Sequence, residues 1–266
     1  MSELLTHVEA IWQNVVDTLP GFTVEVLPTI DSTNSELMRR ARAGLMEPVL
    51  LVAEEQTAGR GRVGKSWHSR RGQSLTFSLA LPMQPVGWSG LSLAVGVSLA
   101  QSLHPDVRLK WPNDLWLHER KLGGILVETA STGDTPQGLR MVVIGIGLNV
   151  ARPDAAAVAS LGDRPSAPPA VAPAGLSEIL VGITAGEVLA RVAPSLALDL
   201  RAFESQGFGA FAQRFEQRDA LQGREVQLSD GARGTACGVV EDGALQVLTS
   251  QGMRSVTSAE VSVRPC

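Results

Sequence analysis

The sequence predicts an α+β protein with helices packed on a mixed, largely antiparallel sheet, followed by a small all-β module. Several strand-like segments follow one another without helices between them, which favours antiparallel pairing over a doubly wound parallel sheet. After Gly223 the pattern changes to short strand-like segments separated by glycine-containing turns. With 266 residues, 44% of them hydrophobic, the chain is long enough for a substantial core and a small second domain.

The first half of the chain is predicted to alternate between helices and strands. Its elements are, in order, a helix over the apolar positions 4–16, a strand at about 24–27, a helix at 33–43, strands at 49–54 and 74–81, and a helix at 91–103. Thr33 and Glu36 are expected to form a capping box at the start of the second helix. The strand at 74–81 is expected to be half-buried, because large apolar residues alternate there with small or polar ones.

The second half has three more strand signals, within 107–130 and 139–150. The tract 163–175 is too rich in proline and alanine for regular structure and is predicted to be a surface loop or linker. Helical periodicity returns over about 184–220, with Pro194 expected to break or kink the helix.

Composition excludes several classes of function. The formal net charge is −4, from 27 acids against 23 Lys and Arg, so no global field draws the chain to nucleic acid or to an anionic membrane. The first twenty residues lack the pattern of a secretory signal, and no apolar run approaches the roughly 18 residues that span a bilayer. The two cysteines and four histidines show no metal-ligand or disulfide spacing, so we expect no protein-held metal and a cytoplasmic location.

The stretch GRGRVGKSWHS, residues 59–69, is the first candidate for chemistry. Its glycines let backbone N–H groups approach an anion, and its cations add formal charge. Five cations and no acid lie between residues 59 and 71, which predicts a loop that becomes ordered over an anionic ligand. The alternative is a solvated basic loop, but Trp67 is costly to leave on such a loop unless it stacks on a flat group.

The second candidate is KWPND, residues 110–114, followed by Lys121 and two glycines. Pro112 predicts a tight connection between two strands that fixes where the Asn113 and Asp114 side chains lie. A plain hairpin turn accounts for the same residues equally well. Lys121 beside glycines indicates a cation placed where a ligand meets exposed backbone.

These motifs together carry a family resemblance. Ser32-Thr33-Asn34, Gln56, GRGRVGKSW, KWPND, KLGGILVE and GIGLN occur in the order and at the spacing typical of biotin protein ligases. The chain resembles that family from about residue 20 to its end. The resemblance implies a catalytic domain over 1–220, related to class II aminoacyl-tRNA synthetases and lipoyl ligases, and an SH3-like β-barrel over 221–266.

The resemblance also implies the reaction and its partners. ATP, Mg²⁺ and biotin would give biotinyl-5′-AMP and pyrophosphate, and biotin would pass to one lysine of a biotin carboxyl carrier domain, as in acetyl-CoA carboxylase. No membrane or DNA partner is expected. Some family members carry an N-terminal DNA-binding domain, whereas about twenty residues precede the region of resemblance here, so we expect an enzyme without repressor function.

The resemblance assigns roles to individual residues by motif. Implied biotin contacts are Ser32, Thr33, Asn34, Gln56, Gly59, Arg60, Gly61, Arg62, Lys121 and Gly124. Implied ATP contacts are Arg62, Lys65, Trp67, Lys110, Asn113, Lys121 and Asn149, and the implied catalytic residues are Lys121, Arg62 and Asp114. Thr33 and Gln56 are expected to serve the ureido end of biotin, and Trp67 to lie beside the adenine. The family loop usually has arginine where this chain has Lys65. A lysine keeps the positive charge at this position but cannot bind a phosphate through two parallel N–H donors, as an arginine can.

Two other functions fit parts of the sequence. A lipoate or octanoate ligase on the same scaffold would need a long apolar channel in place of polar groups for a ureido ring. A nucleic-acid-binding protein would use the basic patch at 59–71 and the terminal barrel, and its binding would depend strongly on salt.

Overall fold

A computed structural model describes residues 3–131, 138–153, 172–257 and 263–265. Its helices are α1 (Val8–Val15), α2 (Thr33–Arg42), α3 (Leu91–Leu103), α4 (Ala185–Gln206) and α5 (Ala212–Glu216). Its first seven strands are β1 (Thr23–Ile30), β2 (Val49–Gln56), β3 (Ser74–Met83), β4 (Arg108–Lys110), β5 (Asp114–Leu117), β6 (Arg120–Ala130) and β7 (Arg140–Asn149). The last five are β8 (Glu225–Leu228), β9 (Arg233–Val239), β10 (Leu245–Thr249), β11 (Gly252–Val256) and β12 (Val263–Pro265).

The seven strands β1 to β7 form one sheet in the order β1-β2-β3-β7-β6-β5-β4. Only the β1–β2 pair in this sheet is parallel, and the other neighbours are antiparallel. The last five strands form a separate antiparallel sheet in the order β11-β10-β9-β8-β12. The prediction of an α+β fold with a largely antiparallel sheet and a small β module is confirmed, while the division at residue 220 stays a prediction.

The two faces of the seven-stranded sheet are covered unequally. The main core packs α3, α4 and the C-terminal module against one face. A smaller core lies on the other face, where α2 contributes Leu37, Met38 and Ala41 against residues of β2, β3 and β7. The part of this face that α2 leaves uncovered is the floor of the cavity described below.

Four local predictions were wrong. Ser32, not Thr33, is the N-cap of α2 and accepts the Ser35 N–H, while Glu36 pairs with arginines of its own helix. Strand β3 is buried on both faces because helices cover each side of the sheet. The segments 107–130 and 139–150 form four strands and not three, since a further turn at His118 and Glu119, both with positive φ, separates β5 from β6. Helix α4 continues through Pro194, so the break expected there is wrong, while a kink at this residue stays a prediction. The tract 163–175 lies outside the described residues except for 172–175.

The C-terminal module is joined to the sheet along β4. Leu109 N–H donates to the Arg218 carbonyl at 2.8 Å, and Ala220 N–H donates to the Leu109 carbonyl at 2.8 Å. The Arg218 guanidinium donates to the carbonyls of His104, Pro105 and Val107. The connection is therefore held by backbone hydrogen bonds and by one arginine.

Among the described residues, no helix is long and apolar enough to cross a bilayer.

Asp219 lies within this connection in an unfavourable setting. Its Oδ1 accepts the Leu221 N–H at 2.8 Å, whereas its Oδ2 is buried without a hydrogen-bond partner among the described residues. Burial above all, helped by the nearby charge of Glu216, raises the pKa of this carboxyl to about 6, against two backbone hydrogen bonds that lower it. A buried charge without a partner is costly.

We expect Asp219→Asn to stabilise the protein at pH 7.5 and not at pH 4. A carboxyl whose pKa is raised in the folded state contributes stability below its unfolded pKa of about 4, which is lost as pH rises through about 6. Removing the charge should therefore add about 3 kcal/mol to the free energy of unfolding at pH 7.5. Urea denaturation at the two pH values measures it, and an equal change at both would contradict an effect of the buried charge.

Candidate active site

A cavity of about 480 Å³ opens on the less covered face of the sheet. Its floor comes from β3, β6 and β7, and its sides from the start of α2, the 59–69 loop and the KWPND turn. Ser229, which follows β8 of the C-terminal module, also reaches it. Except for Gly59 and Asn149, every residue that the sequence predicted for the site lines this cavity.

Strand register explains why the floor is open. Gly145 of β7 pairs with Ser78 of β3 on one side and with Leu126 of β6 on the other. Two residues further along β7, Gly147 pairs with Gly124 of β6. A methyl group on Gly145 would overlap the Asn34 amide, and one on Gly147 would overlap the Trp67 indole. The glycines of GIGLN therefore make room for two side chains from distant segments.

One end of the cavity is a cluster of hydroxyl and amide groups. Gln56 Oε1 accepts the Thr33 backbone N–H at 2.7 Å and lies 3.0 Å from Thr33 Oγ1. Thr33 Oγ1 lies 2.8 Å from Ser78 Oγ, and Ser78 donates to Asn34 Oδ1 at 2.7 Å. Thr33, Asn34 and Ser78 are buried. This end can orient a small polar group by hydrogen bonds.

The loop that follows β2 folds back on itself over the cavity. Trp67 N–H donates to the Gly59 carbonyl at 2.8 Å, and Gly61 N–H donates to the Lys65 carbonyl at 2.6 Å. The tip places two successive residues in the left-handed region, Val63 at φ 54° and Gly64 at φ 69°. This segment forms a hairpin in the structure, and its ordering by a ligand stays a prediction.

Two of the five loop cations are paired with acids from the sheet. Arg60 forms an ion pair with Glu128 at 2.9 Å, and Arg71 with Glu54 at 2.6 Å. Acids that are distant in the sequence therefore neutralise part of the charge of this loop without a ligand. This pairing weakens the case for a nucleic-acid patch at 59–71.

The Trp67 indole packs on the Gly147 backbone at the floor of the cavity. Its Nε1 is buried without a hydrogen-bond partner among the described residues. The predicted position beside a flat ligand group therefore has a physical basis, since one side of the ring is fixed by the sheet.

The other end of the cavity is cationic. Arg62, at the hairpin tip, donates to Asn113 Oδ1 at 3.0 Å, and Asn113 is anchored by its own amide to the Ile125 carbonyl at 2.9 Å. Burial lowers the pKa of the Arg62 guanidinium, and the charge of Asp114 opposes that shift. Lys121 Nζ donates to Asp114 Oδ1 at 2.7 Å. KWPND thus places its Asn and Asp beside two cations of the site, beyond what a plain turn requires.

The charge of the cavity suits a polyanion. Arg60, Arg62, Lys65, Lys110 and Lys121 line it, and Asp114 is the one acid among its described lining residues. In the part of the chain that the structure describes, no group of three or more His, Cys, Asp or Glu residues is arranged to hold a metal ion.

Two predicted residues have other surroundings. The Asn149 amide donates to the Ala174 carbonyl at 3.0 Å, and Gly59 is closely approached by the Trp67 backbone. Sequence reasoning missed Ser78 and Glu128, which complete the polar end. Glu128 ends the KLGGILVE motif, so the motif itself was the available signal.

Comparison with known proteins identifies the family. Residues 26–149 match the Biotin/lipoate A/B protein ligase family, and residues 222–264 match the Biotin protein ligase C terminal domain. The Bifunctional ligase/repressor BirA of Escherichia coli is 35% identical over 263 residues, which cover 95% of this chain and 77% of that protein. The chain belongs to the biotin protein ligase family. Membership makes it an enzyme, a ligase that uses biotin and ATP.

Other members of the family resemble the chain over most of its length. The biotin–(acetyl-CoA-carboxylase) ligase of Paracoccus denitrificans is 32% identical over 250 residues, which cover 89% of this chain and 98% of that protein. A structure of the biotin protein ligase from Aquifex aeolicus in complex with biotin and ATP matches with a TM-score of 0.71 and 28% identity. The match covers 91% of this chain and 99% of that one.

Proposed function

We propose that the chain activates biotin with ATP to biotinyl-5′-AMP and transfers biotin to a lysine of a biotin carboxyl carrier domain. One observation carries the proposal: a single cavity joins a hydroxyl and amide cluster to a cationic end. The cluster suits a cyclic urea, whose N–H and carbonyl groups need hydrogen-bond partners. The cations suit a triphosphate. A lipoate ligase would have no use for the polar cluster.

In the first step, a biotin carboxylate oxygen attacks the α-phosphorus of ATP, and pyrophosphate leaves. Both reactants are anionic, so the barrier is largely electrostatic. We assign Lys121, which is held by Asp114, to the reacting oxygens. Arg62, which is held by Asn113 at the same end, is assigned to the grip on the bound adenylate. Lys65 and Lys110 add point charges for the remaining phosphates.

In the second step, the acceptor lysine, as a neutral amine, attacks the acyl carbon of the adenylate. An amide bond forms, the bond to AMP breaks, and the amine loses a proton. The anhydride hydrolyses readily in water, so the hairpin over the cavity has a protective role. Its own hydrogen bonds, from Gly61 to Lys65 and from Trp67 to Gly59, hold it in that position.

Mg²⁺ fits the site as a companion of ATP. It commonly binds to proteins through one or two carboxylates and completes its shell with phosphate oxygens and water. Asp114 is the lining carboxylate that could take this role, and it also pairs with Lys121. The ion would supply charge neutralisation between the phosphates.

We place the reaction in the cytoplasm, because it consumes ATP and because Cys237 is a free, exposed thiol.

Exchange of labelled pyrophosphate into ATP tests the proposal. We expect exchange that depends on biotin and not on lipoate or octanoate, followed by transfer of biotin to a purified carrier domain. Exchange driven by lipoate alone would contradict the biotin assignment. Exchange without transfer to any carrier domain would contradict the partner.

A further inference from the structure

Glu128 connects the polar end of the cavity to the hairpin. Its Oε2 accepts the Asn34 amide at 2.9 Å and Arg60 Nη1 at 3.2 Å, and its Oε1 accepts Arg60 Nη2 at 2.9 Å. One carboxylate therefore binds a residue of α2 and a residue of the hairpin together. It does so from β6, a strand of the cavity floor.

This carboxylate fixes which way the Asn34 amide faces. Asn34 Nδ2 lies near two acceptors, Glu128 Oε2 at 2.9 Å and the Leu126 carbonyl at 3.4 Å. A flipped amide would place its oxygen against a carboxylate. Asn34 Oδ1 is therefore held towards Ser78, which donates its hydroxyl proton to it at 2.7 Å.

The direction of that proton decides what the cavity offers a ligand. Because the Ser78 hydroxyl donates its proton to Asn34, Ser78 Oγ can only accept a hydrogen bond from a ligand or from Thr33. Thr33 has one hydroxyl proton and two acceptors within reach, Ser78 Oγ at 2.8 Å and Gln56 Oε1 at 3.0 Å. Hydrogen-bond acceptors outnumber hydroxyl protons in the polar corner formed by Thr33, Gln56 and Ser78. This corner therefore favours a ligand that brings N–H donors, as a cyclic urea does and a dithiolane ring does not.

We propose that Glu128 is a positioning residue for the ureido end of biotin, orienting Asn34 so that this corner accepts hydrogen bonds and holding Arg60 over the cavity. The inference rests on the biotin function proposed above. Glu128 does not touch the ligand in this arrangement. It acts through Asn34 and Arg60, both of which line the cavity.

A second ion pair on the same loop provides a matched control. Arg71 pairs with Glu54 of β2 at 2.6 Å, as Arg60 pairs with Glu128 of β6 at 2.9 Å. The Arg60 and Arg71 side chains are 46% and 64% exposed, so each pair contributes little to global stability. Neither Glu54 nor Arg71 lines the cavity. Glu54→Gln therefore removes a comparable pair without changing the polar corner.

Glu128→Gln should weaken the binding of biotin and leave that of ATP unchanged. The new amide must turn its own NH2 group towards a donor, either Arg60 Nη2 or Asn34 Nδ2, so the arrangement that fixes the direction of the Ser78 proton is weakened. We expect the Kd of biotin alone, measured by calorimetry, and the KM for biotin to rise about tenfold to a hundredfold, as for a lost charged hydrogen bond. The KM for ATP should stay within about twofold of the unmodified value.

A charge-conserving swap should restore binding. In Asn34→Asp combined with Glu128→Gln, the new carboxylate accepts from both the introduced amide and the Ser78 hydroxyl, so Ser78 again points its proton away from the ligand. We expect this double variant to bind biotin at least about fivefold more tightly than Glu128→Gln alone.

The outcomes separate the two levels of the proposal. If the unmodified protein binds no biotin, the proposed function fails. If it binds biotin and Glu128→Gln behaves like Glu54→Gln, the positioning role of Glu128 is wrong. A melting temperature of Glu128→Gln well below that of Glu54→Gln would indicate a structural role and overturn the proposal. Failure of the double variant to recover biotin binding would overturn it as well.

Discussion

Lys121→Ala is expected to reduce biotin-dependent pyrophosphate exchange at least about a hundredfold, the loss typical of removing one preorganised charge from a reacting centre. Its ammonium group lies 2.7 Å from Asp114 in the cavity, and its side chain is 45% exposed. The lysine therefore contributes charge to the site and little packing to the core. The free energy of unfolding should change by less than about 1 kcal/mol, as for an exposed ion pair.

Arg120→Ala is the matched control for this variant. Arg120 is the preceding residue on β6, and it pairs with Glu178 instead of lining the cavity. We expect it to keep exchange within about threefold of the unmodified enzyme while removing a cation from the same strand. Near-normal exchange by Lys121→Ala, or equal losses in both variants, would mean that Lys121 is not at the reacting centre.

The motifs predicted most of the residues that line the cavity, whereas Ser78 was missed because no motif contains it. Arg62, Lys65 and Lys121 occur in short motifs that combine glycines with cations, a combination typical of anion-binding sites. Ser78 lies in a strand where alternation predicts polar residues facing solvent, and nothing local distinguishes it from them. Its role depends on the pairing of Ser78 with Gly145, which brings it beneath α2. Such a contact between distant segments is set by register, which single-sequence patterns do not encode.

The same limit applies to Trp67 and Gly147. Each residue was part of a recognised motif, yet their contact joins segments that are distant in the sequence. The glycine spacing in GIGLN indicates a close approach on one face of β7 without saying what approaches. Only the order β3-β7-β6 in the sheet places the hairpin over that face.

The errors in the fold have tertiary causes. Helix α4 passes through Pro194 because its buried face, which includes Val188, Val192 and Leu196, packs into the main core. Burial of several such side chains at about 1.5 to 3 kcal/mol each exceeds the local cost of about 3 kcal/mol for one proline. The Thr33–Glu36 capping box fails because Thr33 is engaged in the cavity by Gln56 and Ser78. In both cases a contact from elsewhere in the fold overrides a local preference.

Arg62→Gly is expected to release the adenylate while still making it. Arg62 lies at the hairpin tip and reaches across to Asn113 at 3.0 Å, so it joins the hairpin to the KWPND turn over the cavity. Replacing it removes this charged hydrogen bond and adds backbone freedom, which should weaken closure by about 1 to 3 kcal/mol. Biotinyl-5′-AMP should then escape about ten- to a hundredfold faster.

Escaped adenylate needs no docking to react, so it should acylate exposed lysines of unrelated proteins. We would incubate each variant with biotin, ATP and serum albumin, and blot for biotin at matched adenylate synthesis. Val63→Gly is the control, because it adds a glycine at the neighbouring position while the guanidinium stays. Val63 is 89% exposed with φ 54°, so glycine fits its conformation and removes no buried contact. Strong albumin labelling by Arg62→Gly alone would identify the guanidinium as the group that retains the intermediate. Equal labelling by both variants would assign retention to the stiffness of the hairpin, and no labelling above the unmodified enzyme would contradict a retaining role for Arg62.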